Sequence, residues 1–305
     1  MRNRMIKRIN LSAIALAATY AFAGRVLLIG KGSLSDVAVA ALLAVLIIPL
    51  AETAARGVLG SKKRSVLGAI FALAVIAASI YTASLAANEF SEFAAYTMLS
   101  GMSELLIKAI FLFLCAYLGS LGEGAVRKLA VIFFAILGAV AVILFLLSVR
   151  SLDLSQTDVL FGKITALGVI REFGNIFAPM VLAIIYLSGD GETGRLRCGG
   201  AVLSVIFASL LLLICRLNVS LLFGESFAAA LAYPYSEAVS TVTAGKLFAR
   251  MEGWAYLMYY AASALRTSVC LSLCCRPAFR ILPRLGEKRV GVFLTSLVFA
   301  SVCLV

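Results

Sequence analysis

The sequence predicts an all-α, polytopic membrane protein, and three observations support this fold class. Hydrophobic residues make up 63% of the 305-residue chain and charged residues only 14%, whereas apolar residues are nearer half of an ordinary soluble domain. The apolar residues form repeated runs, each long enough to cross a bilayer as a helix. The Lys and Arg residues lie between these runs in short clusters, which is the distribution expected of membrane loops.

The chain contains about nine apolar runs that are long enough to span a membrane. In chain order they cover residues 9–29, 36–53, 65–87, 102–121, 129–149, 164–188, 199–222, 253–275 and 290–305. No long polar segment separates the runs. We therefore expect one transmembrane domain over residues 1–305.

The positive charges predict which side of the membrane each loop faces. The densest clusters precede the first span and follow the second, fourth, sixth and eighth spans, whereas the other connections carry few Lys or Arg. Because cytoplasmic loops are enriched in these residues, the N-terminus is expected in the cytoplasm. The net charge of +12 is explained by these loops and does not indicate a nucleic-acid partner. The basic start followed by an apolar run resembles a signal peptide, but no cleavage site is evident, so we expect a retained first helix.

The first and sixth spans contain residues that favour a broken helix. The first has an AlaGlyArg step at residues 23–25, and the sixth has Gly174 and Pro179 among charged and polar residues. Discontinuous helices five spans apart hold the substrate at the centre of many secondary transporters. We therefore expect helices 1 and 6 to be discontinuous. The alternative is that both are merely kinked and use their glycines for packing.

The eighth span carries an arginine near its middle. The polar face of this helix is formed by Glu252, Tyr256, Tyr259, Ser263, Arg266 and Cys270, which recur at steps of three and four. An ionisable group at this depth costs about 2.5–3.5 kcal/mol on insertion scales, so Arg266 is expected to face the protein interior or an aqueous cavity.

The charge partner of Arg266 is expected to come from another helix. Glu172 is the one carboxylate that the sequence places well inside a span and away from its ends, so we expect Arg266 to pair with Glu172, directly or through water. The alternative is that backbone carbonyls and water hold Arg266. Glu89 and Glu92 are expected only to rim the outer vestibule.

Between the seventh and eighth spans, residues 223–252 contain two short helix-capable pieces. TyrProTyr at residues 233–235 divides them, and proline disfavours helix for the residue before it. We expect two short helices that meet at an angle and cap the outer vestibule.

The sequence offers no catalytic or metal-binding signature. It has no His, its seven Cys residues lack CxxC spacing, and neither an HExxH, a GxSxG nor a phosphate-loop motif occurs. We therefore expect neither an enzyme nor a cofactor or metal site.

The loop YPYSEAVSTVTAGKLFARMEGW leads into a helix with a late basic residue followed by Ser. This segment resembles the corresponding one of the spore germination permeases, the B subunit of Ger-type nutrient receptors. The positions that match the family are Arg250, Glu252, Arg266 and Ser268, with Arg266 replacing a more usual lysine. Looser likeness in ANEFSEFAAYTML, in GEGAVRKLAVIFF and in the DLS at residues 153–155 extends the resemblance over nearly all of the chain.

The resemblance implies the fold of the amino acid, polyamine and organocation (APC) transporter superfamily, which is a LeuT-like arrangement of two inverted five-helix repeats. Two features depart from the family. Residues 173–175 read PheGlyAsn where the family tends to have PheGlyGlu, so the ligand shell is expected to differ. The family usually has ten spans, so the tenth helix is expected to be missing here.

The expected ligand site lies in the first, sixth and eighth spans. Its residues are Tyr20, Phe22, Ala23, Gly24, Glu172, Gly174, Asn175 and Arg266. The backbone around Ala23, Gly24 and Gly174 is expected to approach the ligand, with half-helix N-termini facing its carboxylate. Tyr20 and Phe22 are expected to border the ligand, although a lone aromatic residue in a membrane helix more often only packs.

The resemblance implies a spore germination receptor membrane subunit that binds a small nutrient germinant, expected to be an amino acid, and signals to partner subunits. The implied partners are an A-type membrane subunit and a C-type lipoprotein subunit, and the implied location is the cell membrane or spore inner membrane. The alternative is a secondary active amino-acid or cation transporter, because fold alone does not separate the two. A scaffold without a ligand is a further alternative.

Overall fold

The computed structural model describes residues 11–23, 33–59, 66–149, 164–188, 198–241 and 252–281. Helices account for nearly all of these residues, and no strand occurs among them. The helices are α1 Leu11–Ala23, α2 Leu34–Leu59, α3 Val66–Thr97, α4 Glu104–Ser120, α5 Glu123–Ser148, α6 Ala166–Ser188, α7 Cys198–Phe223, α8 Glu225–Ala230, α9 Pro234–Thr241 and α10 Glu252–Ile281.

The helices confirm the predicted order of membrane spans. Each of the first eight predicted spans overlaps a helix, from α1 to α7 and then α10, and the ninth predicted span lies outside the described residues. Within the described part of the chain, the helices long and apolar enough to cross a membrane are Ile70–Thr97, Glu123–Ser148, Ala166–Leu187 and Gly199–Phe223. The chain is therefore a multi-pass α-helical membrane protein.

The long helices pack in two groups. In the first group α6 and α7 contact each other and each also contacts α1 and α2, and in the second group α3, α4 and α10 contact one another. Contacts between α1 and α10 join the two groups, and α5 touches members of both. The interface between α1 and α10 therefore lies inside the bundle.

Both of these central helices are buried on all sides. Residues 13–23 of α1 and residues 261–271 of α10 are buried without exception, whereas α4 and α5 expose large apolar side chains such as Phe113 and Leu146. A helix that is apolar on every face belongs in the interior, and side chains like Phe113 suit contact with lipid. Arg266, in α10, therefore lies in the centre of the fold.

Helix α6 corrects the predicted break in the sixth span. It runs without interruption from Ala166 to Ser188, through Gly174 and Pro179. Proline removes one backbone hydrogen bond, and in a membrane helix neighbouring helices can satisfy the freed group, so the helix continues past it. In the first span the described helix ends at Ala23, and the rest of the predicted break, Gly24 and Arg25, lies outside the described residues.

The start of α6 is fixed by α2. The Asp36 carboxylate in the first turn of α2 accepts hydrogen bonds from the Thr165 backbone N–H at 3.0 Å and the Thr165 hydroxyl at 3.2 Å. The Thr165 hydroxyl oxygen accepts a hydrogen bond from the Gly168 N–H at 3.2 Å, which is the geometry of a helix N-cap. A Cβ added to Gly168 would clash with the Asp36 Oδ2 atom, so only glycine allows this approach.

Helix α3 is longer than predicted. The predicted span ended at residue 87, but the helix continues to Thr97 and carries Glu89, Glu92 and Phe93 on its last turns. The two glutamates lower the local hydropathy, which ended the predicted span, but Glu and Ala are good helix formers, so the helix itself continues.

The predicted cap between the seventh and eighth spans is confirmed as two short helices. Helix α8 is followed by a bend at residues 231–233, and α9 begins at Pro234. Proline suits this first helical position because its missing N–H would have no partner within the helix. Helix α8 contacts α7, while α9 contacts both α7 and α10.

Candidate ligand site around Arg266

The guanidinium group of Arg266 lies where α1, α3 and α10 meet. Its Nη1 atom donates a hydrogen bond to the Ala23 carbonyl oxygen at 3.3 Å and lies 3.9 Å from the Glu89 Oε2 atom. The Arg266 side chain is 6% exposed and that of Glu89 is 25% exposed. A buried positive charge thus lies beside a partly exposed carboxylate.

The partner predicted for Arg266 is wrong. The carboxylate beside Arg266 is Glu89, whereas Glu172 is buried in α6 with its Oε1 atom 3.7 Å from Arg171 Nε. The expectation that the partner comes from another helix is correct. The predicted third span ends before Glu89, but α3 continues through this residue, and α3 packs against α10.

Arg266 has more hydrogen-bond donors than its neighbours accept. A guanidinium carries five N–H donors, and its Nε atom is buried without a hydrogen-bond partner among the described residues. The Ala23 bond is long, and the 3.9 Å separation from Glu89 exceeds the ~2.7–2.9 Å of a strong charge-assisted hydrogen bond. The guanidinium of Arg266 can therefore donate a further hydrogen bond to an anion or a carbonyl group.

Tyr20 and Cys270 form a second polar contact between α1 and α10. The Tyr20 hydroxyl lies 2.9 Å from the Cys270 sulfur, and both side chains are buried. Cys270 follows Arg266 by four residues, which is about one helical turn, so this contact lies next to the Arg266 site. Of the predicted site residues, the structure brings Tyr20, Ala23 and Arg266 together at this interface.

The other predicted site residues are placed differently. Phe22 is fully buried in the apolar core, and Glu172 is buried in α6. Asn175 is partly exposed, and Gly174 is exposed, with no atom within 4 Å of a Cβ added there. The approach of a ligand to the Gly174 backbone stays a prediction, and Gly24 lies outside the described residues.

An aromatic cluster separates Arg266 from the cap. The ring of Phe93 has its centroid 4.4 Å from that of Tyr259, 5.5 Å from Tyr256 and 5.0 Å from Tyr233. Phe93 follows Glu89 by one turn of α3, and both tyrosines of α10 belong to the face that carries Arg266. The aromatic cluster therefore lines the way from the cap toward the guanidinium.

Carboxylates surround the cap residue Tyr233. Burial raises the pKa of the Tyr233 hydroxyl, and the negative charges of Glu92, Glu89 and Glu104 raise it further. Glu104 is partly neutralised because its Oε1 atom lies 2.7 Å from Lys108 Nζ. The region between the cap and α3 is thus an acidic vestibule, formed by Glu89, Glu92 and Glu104.

Within the described part of the chain, no group of three or more His, Cys, Asp or Glu side chains is arranged to hold a metal ion. This arrangement is suited to binding a ligand. A buried guanidinium with a spare donor stands beside a carboxylate, below a vestibule of aromatic and acidic side chains.

The architecture is that of a LeuT-like membrane transporter fold. A solved structure of Mhp1, a nucleobase-cation-symport-1 family transporter in a closed conformation with bromovinylhydantoin bound, is similar to this chain with a TM-score of 0.56 and 15% identity. The similarity covers 96% of this chain and 70% of that one. No protein-family model and no curated protein sequence matches the chain.

At this level of identity the likeness concerns the fold alone. It agrees with the expected all-α polytopic architecture. It also covers nearly the whole described bundle, so the two groups of helices and the central α1–α10 interface belong to one known architecture.

Proposed function

We propose that this protein is the membrane subunit of a spore germination receptor, which binds a small nutrient molecule in the interior of the bundle and transmits a conformational signal to partner subunits. The observation that carries the binding proposal is the Arg266 guanidinium, buried at the junction of α1, α3 and α10 with an Nε donor that no described residue accepts. A group of this kind is expensive in a membrane unless it serves a function.

Two features support a signalling role. The loop at residues 233–254 and the basic residue and serine at Arg266 and Ser268 resemble the germination permeases. The contacts of Arg266 also cross between the two groups of helices, because Ala23 belongs to α1 and Glu89 to α3. A ligand that changes these contacts changes how the two groups pack, and an A-type membrane subunit and a C-type lipoprotein subunit would receive that change.

The second candidate function is secondary transport of an amino acid or a cation. It is supported by the likeness to a transporter over 96% of the chain. Transport needs the same interior site, so the site does not separate the two functions. The difference lies in whether the ligand leaves on the opposite side of the membrane.

Vesicle experiments separate these candidates. The purified chain is placed in proteoliposomes, alone and with the partner subunits, and a radiolabelled mixture of L-amino acids is added outside. Saturable binding without accumulation supports the receptor, and time-dependent accumulation above the empty-liposome control supports the transporter. Neither binding nor accumulation, with or without the partner subunits, contradicts both.

A further inference from the structure

Arg266 holds a positive charge against the backbone of α1. In secondary transporters built from inverted repeats, carbonyl groups at the ends of interrupted helices hold the coupled sodium ion or proton near the substrate. Here α1 is described as far as Ala23, and the Ala23 carbonyl oxygen accepts a hydrogen bond from Arg266 Nη1 at 3.3 Å. Resting on the proposed binding function, we infer that the Arg266 guanidinium takes the place of a coupled metal cation, so that this protein binds its ligand without a sodium ion.

The guanidinium meets the kinds of partner that a bound metal cation would take. Arg266 is buried in α10, which packs against both α1 and α3. Its Nη1 atom contacts the Ala23 carbonyl oxygen of α1 and also lies 3.9 Å from the Glu89 Oε2 atom of α3. Carbonyl and carboxylate oxygens are the ligands that hard cations prefer. A cation that belongs to the chain itself thus lies among oxygens of the type that a free ion would need.

The side chains that α10 turns toward α1 do not suit a hard metal cation. Arg266 carries hydrogen-bond donors and no acceptor, and the Cys270 sulfur, 2.9 Å from the Tyr20 hydroxyl, is a soft ligand. The hydroxyl groups next to Arg266 in the sequence, those of Thr267 and Ser268, lie beside the Cys115 thiol of α4 instead. Neither Arg266 nor Cys270 therefore offers an oxygen ligand to a metal ion between α1 and α10.

The charge of Arg266 also opposes a second cation. Like charges at contact distance repel strongly where little water screens them. Arginine does not lose its proton in proteins, whereas a buried lysine can, so the charge at this position is permanent. The Nε donor of Arg266 is buried without a hydrogen-bond partner among the described residues, so it stays available to a ligand while Nη1 contacts α1.

The first arm of the test uses the unaltered chain in lipid nanodiscs and needs no variant. Its melting temperature is measured at equal ionic strength in sodium chloride, potassium chloride and choline chloride, because a cation that binds the folded state raises this temperature. We expect the same melting temperature in all three salts. Saturable stabilisation by sodium or potassium relative to choline would overturn the inference.

The second arm removes the guanidinium and then supplies it as a free ion. Arg266→Ala is expected to be less stable than the unaltered chain, and methylguanidinium chloride should raise its melting temperature saturably relative to choline chloride. The same salt should stabilise neither the unaltered chain nor Arg127→Ala, which removes an arginine near the start of α5. If methylguanidinium does not stabilise Arg266→Ala, or stabilises Arg127→Ala equally, the inference is wrong. If Arg266→Ala does not fold, the arms that use the unaltered chain decide.

The third arm measures binding of the radiolabelled L-amino-acid mixture to the unaltered chain in sodium chloride and in choline chloride. We expect the two affinities to agree within about 2-fold, whereas coupling to a bound ion changes affinity by about 5–150-fold. A sodium requirement of that size would contradict the inference and leave the proposed binding function intact. If nothing binds in either salt, the proposed binding function fails, and the melting temperatures still decide whether the chain has a metal-ion site.

Discussion

The Arg266 guanidinium and the Glu89 carboxylate lie 3.9 Å apart at the junction of three helices, although 177 positions of the numbering separate the two residues. The pair joins α10 to α3, and the bond from Arg266 to Ala23 joins α10 to α1. A single side chain thus links the two groups of helices in the bundle. The predictions below test this link, the packing around it and the orientation of the chain.

The first prediction concerns the energetic coupling of the pair. Removing either charge leaves the other without its partner, so Arg266→Gln and Glu89→Gln should each lower the thermal stability of the protein in nanodiscs. The double variant should lose less than the sum of the single losses, with a coupling energy of about 0.5–3 kcal/mol. Strict additivity would mean that the two charges do not interact.

The matched control for this cycle combines Arg266→Gln with Glu172→Gln. Arg171 lies 3.7 Å from Glu172, and Arg266 has its contacts with Ala23 and Glu89 instead. The effects of Arg266→Gln and Glu172→Gln should therefore add. If the Glu172 control shows coupling and the Glu89 cycle is additive, then Arg266 pairs with Glu172, as the sequence predicts.

A second prediction tests the junction between α2 and α6. Gly168→Ala places a methyl group against the Asp36 Oδ2 atom, so it should separate the carboxylate from Thr165. Loss of a helix cap costs about 0.5–2 kcal/mol, and we expect the melting temperature to fall accordingly. Gly174→Ala is the control on the same helix, because no atom lies within 4 Å of its Cβ.

The change in stability caused by the Gly174→Ala control is expected to have the opposite sign to that caused by Gly168→Ala. Alanine is a better helix former than glycine by up to ~1 kcal/mol, so this substitution should leave stability unchanged or raise it slightly. Equal losses in the two alanine variants would show that the α6 N-cap is not held by Asp36.

A third prediction concerns the aromatic cluster. Phe93 is fully buried against Tyr233, Tyr256 and Tyr259, so Phe93→Ala should destabilise the protein by about 3–5 kcal/mol, the range for large-to-small changes in cores. It should also loosen the cap, which limited proteolysis between α8 and α9 would detect.

Tyr96→Ala is the comparison for this variant. Tyr96 also contacts Tyr233, with ring centroids 5.8 Å apart, but it is 66% exposed. Its loss should cost much less. If Tyr96→Ala opens the cap as readily as Phe93→Ala does, the cap is not anchored through Phe93.

The fourth prediction tests the orientation deduced from the Lys and Arg residues. Cys198 begins α7 after a basic loop that is expected in the cytoplasm. On intact cells a membrane-permeant maleimide should modify Cys198, and a sulfonated, impermeant maleimide should not. Cys270 serves as an internal control, because its buried thiol should resist both reagents until the protein is denatured. Modification of Cys198 by the impermeant reagent would invert the assigned topology.

The helices and the burial of Arg266 can be predicted from the sequence. The residue that pairs with Arg266 depends on different physical information. Apolar run length and loop charge are local signals, so the first eight spans overlap helices. The burial of Arg266 followed from its depth within a span. The partner depends on which helices touch, and that information is tertiary.

Two particular cases illustrate this limit. The sequence predicts Glu89 only at the rim of the vestibule, yet α3 continues ten residues beyond the predicted end of the span, and the Glu89 carboxylate also lies 3.9 Å from Arg266. Pro179 and Gly174 suggested a break, but α6 is continuous, because local propensity does not decide a helix that packs along α1 and α2. The Asp36 cap likewise joins residues 129 positions apart and has no local signal.

Equilibrium binding of a radiolabelled L-amino-acid mixture to the chain in nanodiscs tests most directly whether Arg266 forms the ligand site. Binding to the unaltered chain should be saturable. Affinity should fall at least ~10-fold in Arg266→Gln, which is ~1.4 kcal/mol, and should be unchanged in Arg127→Gln. Each variant is first shown to retain its fold by its elution profile and melting temperature. Equal affinity of the unaltered chain and a folded Arg266→Gln variant would contradict the claim that Arg266 forms the ligand site.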